Sequence, residues 1–308
     1  MPGNKMQQAV KPLSVSVVIP TYERGEILSE AISMALAQDY PDFEVIVVDQ
    51  SRELAESVKK LIESAPPRLR YLRLSTPNLP GARNAGVRAA KGEIISFIDD
   101  DVVIGPEYIA GMAAHFHDPS VGAVMGMTLP ASGKEPDRQA VMKQFWAWEE
   151  FPDGTASVSW VVGCNSSYRA RAIVDAGMCD EKFTGSAWSE DADLSVRVRN
   201  LGYKFIYDPR VRLIHLELAS GGCANRSPAD LEKRDELRFR LQLYFLFKNR
   251  AIFGWRQFCS SVWQTYRQYA FNRLLFATWS KFFVRQFRSA RNLSIVVSMC
   301  SPAASRRP

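Results

Sequence analysis

Apolar positions in the first hundred residues follow two alternating rhythms. Residues 15–19, 44–49, 70–74 and 93–98 are short apolar or β-branched runs of strand length. Between them apolar residues recur at helical spacing, at Leu28, Ile32, Ala35 and Leu36 and again at Leu54, Val58, Leu61 and Ile62. Strands and helices alternating in this way predict right-handed βαβ units and a mainly parallel sheet flanked by helices. Ligands of such sheets lie beyond the carboxyl ends of the strands, so the residues that follow each strand carry the chemical interest. They are Pro20-Thr21-Tyr22-Glu23-Arg24-Gly25, then Asp49-Gln50-Ser51, then NLPGARNAG from Asn78 to Gly86, then Asp99-Asp100-Asp101. Further on, Pro106 suits the first turn of a helix. Residues 139–150 read as an aromatic helix, 160–162 as a strand, 189–200 as a helix closed by Gly202, and 211–214 as a last strand.

Composition narrows the class. A chain of 308 residues has room for one large domain or two modest ones. With 46% hydrophobic and 23% charged residues it is not disordered, collagen-like or a disulfide scaffold. No run approaches the roughly 18 apolar residues of a membrane span, and the start, MPGNKMQQAVKPLS, has no apolar secretory core. Five scattered cysteines without a CxxC pair argue against structural zinc and disulfides and make the cytosol the expected compartment. The net charge of +6 is unevenly spread: residues 237–308 carry thirteen basic residues and no acidic one, which leaves −7 on the rest. Two bodies with different tasks are expected, a domain over 14–236 behind an N-terminal arm (1–13), and a basic, aromatic helical region over 237–308.

Two acidic clusters stand out. Asp99, Asp100 and Asp101 repel one another, with no cation adjacent in sequence. Such a triplet is ordinarily a solvated turn, but at the carboxyl end of an apolar strand it suits a hard divalent ion, Mg²⁺ or Mn²⁺, bound together with substrate phosphates. Glu190-Asp191-Ala192-Asp193 opens a helix. Its acids favour the positive end of the helix dipole, and Ser189 could cap it. Equally, a carboxylate held there could act as general base toward a hydroxyl. His215, at a strand end, is either a satisfied core residue or a metal ligand. The absence of GxGxxG after the first strand disfavours a dinucleotide cofactor. Val87-Arg88 stands where a Walker A loop needs Lys-Ser/Thr, and His215-Leu216-Glu217 lacks the PCxxC of a zinc deaminase.

VSVVIPTYERGEIL, FEVIVVDQS, NLPGARNAG, KGEIISFIDDD, GCNSSYRA and SEDADLSVRVRNLGYKFIYDPRVRLIH follow one another in that order over residues 14–215. This series resembles the family 2 glycosyltransferases, GT-A enzymes that use nucleotide-diphosphate sugars. The resemblance implies that Pro20, Thr21, Tyr22, Glu23, Arg24 and Asp49 hold the nucleoside, and that Asn78, Arg83 and Asn84 lie in a loop that closes over the nucleotide. It puts the DxD-type motif on Asp99, Asp100 and Asp101, with Asp101 and Asp99 on the metal, Asp99 and Asp100 toward the ribose, and His215 completing the metal site. It makes Glu190 and Asp191 the catalytic pair, with Asp191 as base. Two departures matter: Asp49-Gln50-Ser51 is one residue shorter than the usual DDGS-like turn, and no QxxRW motif follows the acidic pair. A single-addition, inverting, metal-dependent transferase is therefore expected rather than a polymer synthase. Its acceptor would be a hydroxyl, lipid-linked in surface-polysaccharide assembly. The rivals are a sugar nucleotidyltransferase, which would need a Gly-rich loop and a Lys near the first strand, and a silent membrane-docking protein that binds sugar nucleotides.

The region from 237 holds sixteen of the 34 aromatic residues. Phe276, Trp279, Phe283 and Phe287 share one helical face, with Lys281, Arg285 and Arg288 opposite. That pattern suits peripheral contact with an anionic membrane on its cytoplasmic side. It also suits a helix packed on the catalytic domain. Nucleic acid ranks behind both, because no recognition motif accompanies the charge.

Overall fold

The structure, a computed structural model, describes residues 11–64, 67–218, 220–222, 231–270 and 279–300. The chain begins β1 (Val15–Thr21), α1 (Ile27–Leu36), β2 (Phe43–Asp49), α2 (Glu56–Glu63), β3 (Leu69–Arg73), α3 (Leu79–Ala89), β4 (Ile94–Ile98), β5 (Val102–Ile104) and α4 (Tyr108–Ala113). It continues with β6 (Val121–Pro130), α5 (Arg138–Gln144), β7 (Glu149–Glu150), β8 (Ala156–Ser157), β9 (Asn165–Arg169), α6 (Ala170–Asp175), α7 (Glu190–Asn200) and β10 (Lys204–His215). Four helices close the described chain: α8 (Leu231–Lys248), α9 (Arg250–Phe253), α10 (Trp255–Ala270) and α11 (Trp279–Met299).

One sheet runs β3-β2-β1-β4-β9-β6-β10-β8-β7, with β5 beside β10. The expected parallel half is present as β3, β2, β1 and β4. The second half is mixed: β9 lies antiparallel between β4 and β6, and β10 runs parallel to β6. Register aligns the strand ends, with Thr21 opposite Asp49 and Asp49 opposite Arg73. The polar segments after β1, β2 and β4 therefore lie side by side along one edge.

Alternation along each strand divides the core into two layers. Val15, Val17, Ile19, Val45 and Val47 meet α1, α2 and α4 on one face; Val18, Ile46 and Val48 meet α3 on the other, in a layer that α5, α6 and α7 share. Gly86 lets α3 approach closely, since a Cβ there would lie 2.3 Å from a Val18 methyl.

The helical region has its own core. Leu237, Phe239, Leu241, Tyr244 and Phe245 of α8 bury against Phe258 and Tyr269 of α10 and Val296 of α11. The same cluster takes in Phe183 of the sheet-bearing domain, with Ala192 and Val196 of α7 packed on it. The expected boundary at 236/237 falls inside α8, whose buried apolar positions begin at Leu237 while residues 232–236 of its first turns are charged. Those turns also bring acids to the basic tail: Arg288 pairs with Glu232 at 2.6 Å and lies 3.9 Å from Glu236. Arg288, read as a membrane contact, thus spends its charge within the protein. Phe276 and the side chains of Trp279, Lys281, Phe283, Arg285 and Phe287 lie outside the described residues.

Three other expectations are corrected. The helix expected over 139–150 ends at Gln144, where Trp146 takes a left-handed backbone with φ 48°. Residues 160–162 form no strand; the neighbouring strand is Ala156–Ser157, paired with β10. Ser189 stands at the N-cap of α7 but does not cap it, because its hydroxyl donates to Gln242 Oε1 at 2.6 Å.

Charge joins the two bodies as firmly as packing does. Lys248, at the end of α8, donates to Asp180 at 2.6 Å and to Asp193 of α7 at 2.9 Å. Asn249 and Arg197 also donate to the fully buried Asp193, each at 2.8 Å. Burial pushes Asp180 up, but Lys248 outweighs it and holds the carboxyl below the usual range. Lys248→Met should cost on the order of 3 kcal/mol, the range for removing one partner of a buried ion pair. A carboxylate with a depressed folded pKa stabilises above its unfolded value and loses that contribution as pH falls. The gap between wild type and variant should therefore narrow in acid, which urea denaturation at neutral and at low pH would measure.

Candidate active site

The three aspartates after β4 are compensated from outside the strand. Arg24, in the loop after β1, donates from Nε to Asp100 Oδ1 at 2.7 Å and pairs through Nη2 with Asp101 Oδ2 at 2.8 Å. Burial pushes Asp100 up to about 6, against the pull of Arg24. Asp101 is buried too, yet the adjacent His215 and Arg24 hold it below the usual range.

His215 closes this corner from the end of β10. Its Nε2 lies 3.2 Å from Asp101 Oδ1 and 3.8 Å from Asp99 Oδ2. Burial depresses the imidazole, but the two aspartates outweigh it and raise its pKa. One ligand atom from each of Asp99, Asp101 and His215 fits within 4.8 Å. Asp101 Oδ1 is buried without a hydrogen bond and faces the ring nitrogen. Two carboxylates and an imidazole, one oxygen unsatisfied, form a donor set that suits a divalent cation.

The second acidic cluster sits across the cavity at the start of α7. Glu190 is buried and ion-paired with Arg83 of α3, whose other terminal nitrogen lies 3.6 Å from Asp99. Arg83 also lies 5.5 Å from the centre of the Phe97 ring. Asp191 accepts from the backbone N–H of Gly163 at 3.2 Å and of Ala192 at 2.8 Å. Burial raises its pKa, with Arg83 opposing. Asp191, Asp99 and His215 face one cavity of about 970 Å³, walled by Trp146, Trp160 and Trp188.

The other expected site residues divide into two groups. Glu23, held at φ 55°, donates its N–H to Ser51 Oγ at 2.7 Å and accepts from Arg52 N at 3.0 Å. Asp49 accepts from Ser51 N and from the Tyr71 hydroxyl, each at 2.8 Å. With Pro20, Thr21 and Tyr22 these residues border the metal corner through Arg24. Asn78 and Asn84 are committed elsewhere. Asn78 caps α3 through Gly81 N at 2.7 Å and donates to the Glu181 carbonyl at 2.9 Å. Asn84 is buried and clamps the Cys179 backbone in both directions at 2.9 Å. Their amides fix the segment leading to α7, where the sequence suggested a loop closing over a nucleotide. Gly163 and the three tryptophans were missed. A tryptophan two residues before the acidic pair was the available signal for Trp188.

Comparison with known proteins matches this fold. The sheet and flanking helices are those of the GT-A fold. A mannosyltransferase from Pyrobaculum calidifontis in complex with GDP-Man and Mn²⁺ superposes with a TM-score of 0.60 at 18% identity, covering 96% of this chain and 78% of that one. TarS 1-349 of S. aureus in complex with UDP-GlcNAc gives 0.64 at 16% identity, covering 94% and 82%. Residues 16–173 match the profile of Glycosyl transferase family 2, and the chain belongs to that family. Among curated relatives, the O-antigen biosynthesis protein RfbC of Myxococcus xanthus is 28% identical over 67% of this chain and 17% of its own length. An N-acetylglucosaminyltransferase of Rhizobium meliloti is 28% identical over 65% of this chain and 50% of its own. The chain thus spans half or less of the length of these relatives.

Gly163 ties the two sides of the cavity together. A Cβ there would lie 2.6 Å from the Arg83 guanidinium, which is too tightly paired to yield freely. Gly163→Ala should cost about 1–3 kcal/mol, the range for overpacking. Combined with Arg83→Met, which removes the clashing group, the two losses should sum to less than their separate values. A double-mutant cycle by chemical denaturation measures that coupling.

Proposed function

We propose that the chain is a metal-dependent, inverting glycosyltransferase that moves one sugar from a nucleotide-diphosphate donor to a hydroxyl acceptor. The observation that carries this reading is the convergence of Asp191 and the Asp99–Asp101–His215 corner on one cavity. Asp99, Asp101 and His215 would hold Mg²⁺ or Mn²⁺, which when bound offsets the negative charge developing on the leaving diphosphate. Arg24, Glu23 and Asp49 lie where the strand ends meet and would hold the nucleoside side of the donor. Asp191 takes the proton from the acceptor hydroxyl as its oxygen forms a bond to the anomeric carbon and the carbon–phosphate oxygen bond breaks. Attack from the face opposite the leaving group inverts that centre. Glu190, neutralised by Arg83, acts as a positioning residue that fixes the first turn of α7. The raised pKa of Asp191 suits a base, since a carboxylate closer to neutrality takes up a proton more readily.

The setting we propose is surface-polysaccharide assembly on a lipid-linked acceptor, at the cytoplasmic face of a membrane. No helix among the described residues is long and apolar enough to cross a bilayer. Of the thirteen positive charges after residue 236, Lys248 and Arg288 are paired within the protein; the others support attraction to anionic lipid, at about 1 kcal/mol for each cation that reaches the surface. In co-sedimentation the full chain should follow anionic vesicles at low salt and release them as salt rises. Indifference to such vesicles would remove the membrane from the proposal.

The enzymatic reading is tested with a panel of nucleotide sugars and Mn²⁺. One donor should bind in a metal-dependent manner and be slowly hydrolysed. Asp101→Ala should abolish the metal dependence by calorimetry. Asp191→Asn should keep donor affinity and lower turnover by about 10²–10⁴-fold. Because the base must be ionised, activity should fall as pH drops through its raised pKa, placing the acid limb above the ordinary aspartate range near ~4. Full turnover in Asp191→Asn would reduce Asp191 to a helix-start residue.

A further inference from the structure

The donor cavity does not end at its tryptophans. Beyond Trp146 and Trp188 it opens into a second groove of about 410 Å³ between α8 and α10, and Gln242, Phe245, Phe253 and Gln257 line both spaces. We infer that this groove is an acceptor subsite that binds the sugars next to the one that reacts, so that the acceptor is an oligosaccharide read along α10. The inference rests on the transferase reading above and specifies its acceptor.

The chemistry of the lining selects this ligand class. Along α10, Gln257, Ser261, Gln264, Thr265 and Gln268 fall at helical spacing on one face and all line the groove system. From Gln257 to Gln268 this polar stripe runs about 16 Å along the helix axis, longer than a single sugar. Gln257, Gln264 and Gln268 are exposed, and their amides form no hydrogen bond among the described residues. Each presents a carbonyl acceptor and an NH₂ donor, the uncharged pair that matches a hydroxyl. At the entrance, Trp146 and Trp188 are 56% and 46% exposed, although large aromatic rings are ordinarily buried.

The Trp146 backbone and the Trp188 ring are held in place. The Ser159 hydroxyl donates to the Trp146 carbonyl at 3.1 Å, and the Trp188 indole N–H donates to Gln242 at 3.1 Å. Both also depend on unusual backbone, with positive φ at Trp146 and at Ala187 and Ser189 on either side of Trp188. Backbone strain at exposed aromatic positions marks a functional surface. A pyranose offers an apolar C–H face to such rings and a rim of hydroxyls to the amides.

A lipid chain fits this lining poorly, because it would strip water from the amides and return no hydrogen bonds. Nor does the groove offer net positive charge to an anionic polymer. Its lining carries one charge of each sign, Arg238, 4.9 Å from the Trp188 ring centre, and Asp235.

The test uses the full chain, an array of bacterial surface-glycan fragments graded in length, and vesicles containing a polyprenyl phosphate. Nucleotide affinity and slow donor hydrolysis are measured in parallel. Wild type should bind a subset of fragments, more tightly as they lengthen. Gln264→Ala/Gln268→Ala, two exposed changes to a better helix former, should weaken the longer fragments at least tenfold and leave the shortest unchanged. Nucleotide affinity should stay at the wild-type value. Donor hydrolysis with no glycan bound, binding without length dependence, or binding insensitive to the double substitution would each overturn the groove assignment and leave the transferase reading standing. Capture of the polyprenyl vesicles at high salt in place of glycans, lost in the double substitution, would overturn it in favour of a lipid groove. Loss of donor binding and hydrolysis in wild type would instead remove the transferase reading itself.

Discussion

The buried guanidinium of Arg83 is the interaction on which the cavity depends. Its side chain is 4% exposed, and it holds Glu190 on one side while lying 3.6 Å from Asp99 on the other. Without a cation there, the buried Glu190 would be left unpaired and Asp99 would lose the positive charge beside it, at a cost in stability. Arg83 therefore sets how closely the two acidic clusters can approach. It acts from α3, whose own position is fixed by the close contact of Gly86 with Val18 and by the amides of Asn78 and Asn84. Arg24 repeats the arrangement nearer the nucleotide edge, on Asp100 and Asp101. Two cations, one from a loop and one from a helix, thus allow the end of β4 and the start of α7 to carry five carboxylates between them.

The helical region completes the catalytic domain as well as adding to it. Asp193 lies one turn inside α7 and is fully buried, with Lys248 and Asn249 reaching it from the end of α8. The helix that begins with Glu190 and Asp191 is thereby anchored twice, by Arg83 at its first residue and by α8 three residues further on. Phe183 packs into the helical core just upstream. The orientation of Asp191 is in this way a property of both bodies, and Lys248 with Asp180 and Asp193 is one place where the opposite charges of front and tail meet within the molecule.

The parallel half of the fold was legible because its signal is local. Short apolar runs, helical spacing and polar strand ends give β1 to β4 and their helices directly, and the two acidic clusters at their correct edges. The mixed half was not, because β9 owes its place to antiparallel pairing on both sides, and short β8 is defined by partners far along the chain. Arg288 in the tail shows a related limit. Positions 237–308 are basic when counted alone, but Arg288 finds its acids in the first turns of α8, which the charge count had assigned to the other body. Asn78 and Asn84 illustrate the limit of motif reasoning: the segment is where it was expected, while the amides face backbone that no local pattern identifies.

Backbone strain gives the same division of labour a physical basis. Of the six non-glycine residues with positive φ among those described, Glu23, Trp146, Ala187, Ser189 and Glu217 lie in segments that border the site, and only Met178 sits behind it. Each costs of order 1–3 kcal/mol and persists only where neighbours over-determine it. Those neighbours are present: Ser51 holds the Glu23 amide, Ser159 the Trp146 carbonyl, and Gln242 the Ser189 hydroxyl. Gln242 belongs to α8, so the helical region bears part of the strain at the entrance to α7. The regular sheet supplies the rigidity, and its irregular edges use that rigidity to aim side chains into a shared cavity. A substitution that relaxed Ser189 into ordinary helical geometry would remove strain, but it would also turn Trp188 and the first turn of α7 away from the cavity they line.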